Sequence, residues 1–315
     1  MNENFLWIAL LAVATLTDAS RIFVDNYVSD VYFKGRASIA QKLFYAYAYL
    51  LFGIILIAVG GFNINLANLG PVLLLILSGV FASLASIPYY KALELDNSTN
   101  LGIFIQLAPI LYLVFGWLFL GETISLFQIL ASLVILAAPL LIVLTAKKQS
   151  RGTRLRAVLY AFLYIFIAVL SNEIFVLENT GEINFLTSIG AVLLGKSLGS
   201  FLIMAIKPKW RRRYHQVMKK SHHRLLRPLS LNAIIVLVKD ITYRAGLLAA
   251  PSVALASAAS DAVEPLVIFF MGIILTLIAP KFGREKLDSK TVFVHIIATV
   301  LVVAGIILLQ LPVEA

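Results

Sequence analysis

Apolar residues fall along this chain in runs of about 20, separated by short polar connections. A run of that length crosses a bilayer core of roughly 30 Å as an α-helix. Ten spans are predicted: 4–26, 39–60, 69–91, 100–120, 124–146, 155–177, 184–206, 228–248, 252–278 and 291–311. The runs do not alternate polar and apolar residues, which argues against a transmembrane β-barrel. The fold class expected is an all-α polytopic membrane protein. The longer connections are 27–38, the basic linker 147–154 and a basic loop at 207–227. The run from Phe5 to Thr17 lacks a basic flank and continues through Asp18 and Arg21 without a clear small-residue cleavage site. It reads as a first span rather than a signal peptide.

The spans are not uniformly apolar. Asp18, Arg21 and Asp25 interrupt the first. Lys239, Asp240 and Arg244 interrupt the eighth, and Asp261 and Glu264 the ninth. Charges inside a hydrophobic segment are expensive and by default face a bundle interior or a water-filled cavity.

Composition agrees with the pattern. Of 315 residues, 61% are hydrophobic and 13% charged, too few charges for a soluble surface. The absence of cysteine excludes disulfides, thiol nucleophiles and Cys-ligated metals. Net charge is +10, and its placement matters more than its size. Lys and Arg gather in the odd connections: Lys34 and Arg36; Lys91; Lys147, Lys148, Arg151 and Arg154; nine between Lys207 and Arg227; then Lys281, Arg284, Lys286 and Lys290. By the positive-inside rule these connections are cytoplasmic. Ten spans then leave both termini outside, in an integral plasma (cell inner) membrane protein.

The second half repeats the first. Leu16-Thr17-Asp18 aligns with Leu170-Ser171-Asn172, Lys42 with Lys196, Tyr90-Lys91-Ala92 with Tyr243-Arg244-Ala245, and Pro109 with Pro265. The offset drifts only from 153 to 156. Two repeats are therefore expected, 1–146 and 155–315. Each holds five spans, an odd number, so the copies insert upside-down relative to each other. Inverted repeats with a site near the midplane are a common architecture of secondary transporters.

The segment from Tyr89 to Leu144 resembles the second part of an EamA domain in the drug/metabolite transporter superfamily. The residues that carry the likeness are the aromatic run ending in Lys91-Ala92-Leu93, Pro109, the Phe119–Glu122 motif FLGE and a Gly/Ala-rich fifth span. Lys42 stands where that family has a basic residue opening the second span. The resemblance covers two copies, 6–144 and 155–309, the second more loosely. It implies ten helices, no catalysis, and export or exchange of small metabolites. The chain departs from the family where GETIS carries no basic residue and the ninth connection is basic instead, which orients it opposite to the usual form.

Several residues are candidates for a substrate site. Asp18, Arg21 and Asp25, spaced i, i+3, i+7, share a helix face. They are read either as a packing salt-bridge stripe or as a wall of the pathway. Lys239 and Tyr243 (i, i+4) share a second wall, with Asp240 and Arg244 beside them and Arg244 expected to snorkel to the membrane edge. Asp261 and Glu264 share a face of the ninth span. Two carboxylates in low dielectric do not both stay ionised without a cation. Either Lys239 neutralises one, or one holds a proton and couples transport to it. Gln106, Asn172 and Tyr90 complete the substrate-binding candidates. Tyr89 and Tyr90 are read alternatively as interface anchors, and Lys42 and Lys196 as structural or headgroup anchors.

Other features point to no chemistry. His215, His222 and His223 lack nearby acids, so no metal is expected, and no cofactor. The basic 207–227 stretch suits anionic inner-leaflet lipids better than nucleic acid. The sequon at Asn97 falls in a connection expected to be cytoplasmic. No glycine-rich phosphate loop marks an ATP-driven pump, and no Ser/His/Asp set marks a hydrolase. The leading reading is a secondary transporter of small polar or amphipathic metabolites, such as amino acids or nucleobases, acting as a monomer or homodimer. The alternatives are a lipid flippase or lipid-binding scaffold and an intramembrane enzyme.

Overall fold

The structure is a computed structural model. It describes residues 3–34, 38–62, 64–65, 67–96, 98–105, 107–108, 110–111, 114–115, 118, 126–145, 148–178, 183–250, 253–279 and 289–309. Every regular element among them is helical. In chain order they are α1 (Glu3–Tyr32), a 3-10 turn (Ser38–Gln41), α2 (Lys42–Val59), α3 (Leu69–Leu95), α4 (Ser98–Ile105), α5 (Leu126–Thr145), α6 (Lys148–Glu178), α7 (Phe185–Ile206), α8 (Pro208–Ala249), α9 (Val253–Ile278) and α10 (Ser289–Leu309).

Among the described residues, five segments are long and apolar enough to cross a membrane: Leu6–Tyr32, Ser38–Val59, Leu69–Leu95, Gly152–Glu178 and Phe185–Ile206. Shorter apolar stretches, Ile129–Ala138, Val267–Ile278 and Val292–Gly305, lie in α5, α9 and α10.

Two basic stretches expected as connections are helical. Lys148–Arg154 forms the first turns of α6. The 207–227 stretch is the first half of α8, with Pro208 at its start, where a missing N–H costs nothing. Its Lys, Arg, Gln and Met residues are good helix formers. Tyr214, Val217 and Leu225 are buried, Arg213 is half-buried, and its other cations stay exposed. Ser221 breaks the helical geometry within this stretch.

The chain forms two compact units, and each draws on both halves of the sequence. Unit 1 comprises Met1–Tyr27, Lys91–Ile165 and Val238–Ala315. Unit 2 comprises Val28–Tyr90 and Phe166–Leu237. In unit 1, α10 packs on α5, with Gly305 against Ile135, and α9 contacts both α10 and α4. A core of Ala19, Ile22 and Phe23 from α1 meets Ile268 from α9.

In unit 2, α2 and α7 pack antiparallel. Gly53 faces Gly190, Gly60 faces Thr187, and the Ser197 hydroxyl donates to the Ala46 carbonyl at 2.7 Å. Helix α3 crosses α7 at Gly79 and Gly195 so closely that a Cβ on either would strike the other backbone. Without a hydrophobic drive between helices in lipid, such small-residue contacts and interhelical hydroxyl bonds hold the bundle. Ser78 and Ser171, and Ser83 and Ser200, add bonds of that kind.

Candidate functional site

The ionisable residues of α1 and α8 form one connected group in unit 1. The i, i+3, i+7 spacing of Asp18, Arg21 and Asp25 brings all three to one side of α1. The Arg21 Nε donates to Asp18 Oδ1 at 2.5 Å, and its Nη1 reaches Asp25 Oδ2 at 3.3 Å. From α8, Lys239 Nζ lies 3.6 Å from Asp18 Oδ2. Both Asp18 oxygens thus engage a cation, one from its own helix and one from across the bundle. Such charge-assisted contacts are the strong ones when water is scarce. The same Lys239 ammonium sits 5.3 Å from the centre of the Tyr243 ring, a cation–π contact one turn away.

Helices α1, α8 and α9 are held in register around this group. Gly246 lets α8 approach α1, where a Cβ would meet Leu11 Cδ2 at 2.8 Å. Thr15 and Ser260 hydrogen-bond at 3.0 Å and tie α1 to α9 one turn from Glu264. Glu264 is buried, as are Asp25, Asp240 and Arg244. Tyr164 on α6 is half-buried and lies within electrostatic reach of Arg21, Asp18, Lys239 and Glu264. In the unit 1 parts of α1, α8 and α9, the described buried or half-buried charges are four acids (Asp18, Asp25, Asp240, Glu264) and three bases (Arg21, Lys239, Arg244). That leaves one carboxylate in excess.

Five sequence candidates therefore come together in unit 1: Asp18, Arg21, Lys239, Tyr243 and Glu264. Tyr90 and Asn172 belong to unit 2. Tyr89 and Tyr90 are 2% and 3% exposed and meet edge to face at 5.1 Å, so neither is a membrane-interface anchor. Arg244 is 3% exposed and does not snorkel. Gln106 and the Asp261 side chain lie outside the described residues. No group of His, Asp and Glu able to hold a metal ion occurs among the described residues.

Tyr164, Thr15 and Ser260 were not legible as site residues. Tyr164 stands in an aromatic-rich apolar run where a core tyrosine is the natural reading, and lone hydroxyls such as Thr15 and Ser260 carry no spacing signal. A second polar chain in unit 1 was also unforeseen. Arg154 Nε lies 3.7 Å from Asp96, Asn100 Nδ2 donates to Asp96 at 2.6 Å, and His295 Nε2 is 2.8 Å from Asn100 Oδ1. Its members come from the third connection, the start of the fourth span, the end of the 147–154 linker and the start of the tenth span, all on the side predicted to be cytoplasmic.

Comparison with known proteins follows from this geometry. Residues 5–144 match the model of the EamA-like transporter family, within the drug/metabolite transporter superfamily. A solved crystal structure of another protein aligns with 96% of this chain and 99% of its own length, at 18% identity and a TM-score of 0.57. At that identity the likeness is one of fold. No curated protein sequence matches.

Proposed function

We propose, from the premise that residues 5–144 belong to the EamA-like transporter family, that this membrane protein is a secondary transporter. It exports or exchanges small polar or amphipathic metabolites, such as amino acids or nucleobases, by alternating access. The observation that carries the reading is Asp18, held between Arg21 and Lys239 inside otherwise apolar helices. An ion-paired Asp18 in the same unit as the buried Glu264 offers charges of both signs, as a zwitterion with its own carboxylate and ammonium needs. Tyr243 and Tyr164 offer rings to an organic body. Glu264 and Asp261 are the candidates to carry a proton in exchange, because a buried carboxylate is readily neutralised when its cation leaves.

Purified protein in liposomes tests this by counterflow of labelled amino acids or nucleobases. Uptake driven by internal unlabelled solute and lost in Asp18→Asn supports the reading. Unchanged proton dependence in both Asp261→Asn and Glu264→Gln removes the coupling role. The membrane topology, with odd connections cytoplasmic and both termini outside, is part of the same proposal. A C-terminal reporter that fluoresces only in the cytoplasm stays dark if it is right.

A second reading is a lipid flippase or lipid-binding scaffold, favoured by the exposed cations of the first half of α8. Phospholipid scrambling by the same liposomes, with no counterflow of soluble metabolites, would replace the first reading with this one.

A further inference from the structure

Two apolar spans end at the basic 207–227 arm of α8. The span Phe185–Ile206 closes at Ile206, and α8 opens two residues later at Pro208. The span in α1 closes at Tyr32, and the arm is fastened there twice. The Tyr32 hydroxyl donates to the Arg224 carbonyl at 2.8 Å, and Arg213 Nη2 donates to the Phe33 carbonyl at 3.3 Å. All these residues belong to unit 2. The first and seventh connections, both predicted to be cytoplasmic, thus meet. Beyond Pro228, α8 runs on into the largely apolar stretch Leu229–Leu237. The arm therefore begins, is fastened and ends where apolar segments end, which in a bilayer is the level of the headgroups.

The arm has a packed side and a charged side. Trp210, Tyr214 and Val217, spaced i, i+4, i+7, share a face; Tyr214 and Val217 are buried and Trp210 is half-buried. At about 100° per residue, Arg212 and Lys219 stand opposite that face, flanked by Lys209, Arg211 and Lys220. All five are exposed, as are Lys207, Arg224 and Arg227. No Asp or Glu occurs between Lys207 and Arg227. None of these eight cations forms an ion pair among the described residues.

The charge of the unit is concentrated here. Unit 2 has thirteen Lys and Arg against four Asp and Glu, so it carries nine of the chain's ten net positive charges, and nine of its thirteen cations lie in the arm. A helix that inserts into a leaflet turns an apolar face to the lipid. In this arm no exposed large hydrophobic side chain occurs among the described residues. What it offers the membrane is charge, and the complementary surface is one of anionic phospholipid, where each Lys or Arg adds to the attraction.

We propose that the exposed side of the 207–227 arm is a docking surface for anionic phospholipid headgroups, held to the leaflet by charge and not by insertion. This rests on the chain being a membrane protein, and neither on solute transport nor on movement of lipid across the bilayer.

The chain has no cysteine. Gln216→Cys, on the exposed side between Arg212 and Lys219, therefore takes a single NBD label. Full-length labelled protein is placed in nanodiscs that run from pure phosphatidylcholine to about two-fifths phosphatidylglycerol. The emission shifts to the blue with phosphatidylglycerol content and saturates. Raising salt from about 0.1 M to 1 M, which shortens the screening length from about 10 Å to 3 Å, reverses most of the shift. Arg211→Gln, Arg212→Gln, Lys219→Gln and Lys220→Gln together weaken the response about fivefold or more, the scale of at least one lost headgroup contact. Arg211→Lys with Arg212→Lys keeps it. Lys219→Gln with Lys220→Gln gives a smaller loss and serves where the fourfold variant fails to fold.

An emission that ignores phosphatidylglycerol overturns the proposal. So does a shift equal in wild type and both Gln variants, or one that high salt leaves intact. A single-stranded oligonucleotide that shifts the label in phosphatidylcholine nanodiscs, at a salt concentration where phosphatidylglycerol does not, also overturns it and assigns the arm to nucleic acid.

Discussion

The Asp18–Lys239 contact can be tested by a double-mutant cycle of Asp18→Asn, Lys239→Met and the pair. Opposite unit charges about 4 Å apart attract by roughly 4 kcal/mol at an effective dielectric of about 20. The desolvation of both groups offsets much of this. The Asp18 and Lys239 side chains retain 17% and 24% of their exposure, so water screens part of the remainder. A coupling energy of about 1–2 kcal/mol is the expected balance.

The single variants should differ. Asp18→Asn strands the Lys239 ammonium, while Arg21 keeps Asp25 at 3.3 Å. Breaking a fully buried pair costs about 3–5 kcal/mol, and the exposure here lowers that to about 2–3. Lys239→Met costs less, because Arg21 still faces Asp18 at 2.5 Å and Met keeps the apolar stem. The double variant removes both charges and is more stable than the sum of the singles predicts. Equilibrium unfolding of the full chain in mixed detergent micelles measures all four corners. Additivity within about 0.5 kcal/mol would refute the contact as an energetic pair.

Two further outcomes follow from unit 2. Gly195→Ala drives a methyl into the Ile76 carbonyl, costing more than the roughly 1 kcal/mol of helix propensity it gains, whereas Gly152→Ala meets open space and is neutral or stabilising; equal Tm values for the two variants contradict the close helix crossing. Burial beside Tyr47 pushes the Tyr214 phenol up to about 12 from its ordinary 10.0. The folded chain holds that proton more tightly than the unfolded one, so the associated stability is complete below pH 10 and is lost as pH rises towards 12; loss of a late absorbance step in Tyr214→Phe identifies the group.

Much of this was legible in the sequence because membrane chains write their fold in coarse letters. Run length marks the helices, and the charges that violate the runs mark the interior, since lipid tolerates them nowhere else. Asp18, Arg21 and Asp25 were readable as one stripe because intrahelical spacing fixes a face. What could not be read was the partner across the bundle. Lys239 was weighed as the counter-ion of Asp261 or Glu264, and the contact found is with Asp18, more than two hundred residues away. Periodicity says which way a side chain points along its own helix, and nothing about which helix it meets. The 207–227 arm was misread as loop for a different reason. Polarity was taken as a sign of irregular backbone, although Lys, Arg and Gln are strong helix formers, and among its described residues the arm buries Tyr214, Val217 and Leu225.

The residues that match at an offset of 153 to 156 bear on the different chemistry of the two units. At the offsets that align the copies, Asp18 corresponds to Asn172, Arg21 to Phe175 and Lys239 to Ser86. All three counterparts belong to unit 2. Each of these three charges thus has an uncharged counterpart, and Phe175 and Ser86 are buried. Neutral residues at these positions evidently suffice for helix packing, so the scaffold does not require the charges. Their presence in one copy alone is the expected mark of residues that serve a solute. The Lys42–Lys196 pair follows the opposite rule: it is basic at both matching positions, and both ammoniums lie beside the Tyr49 ring.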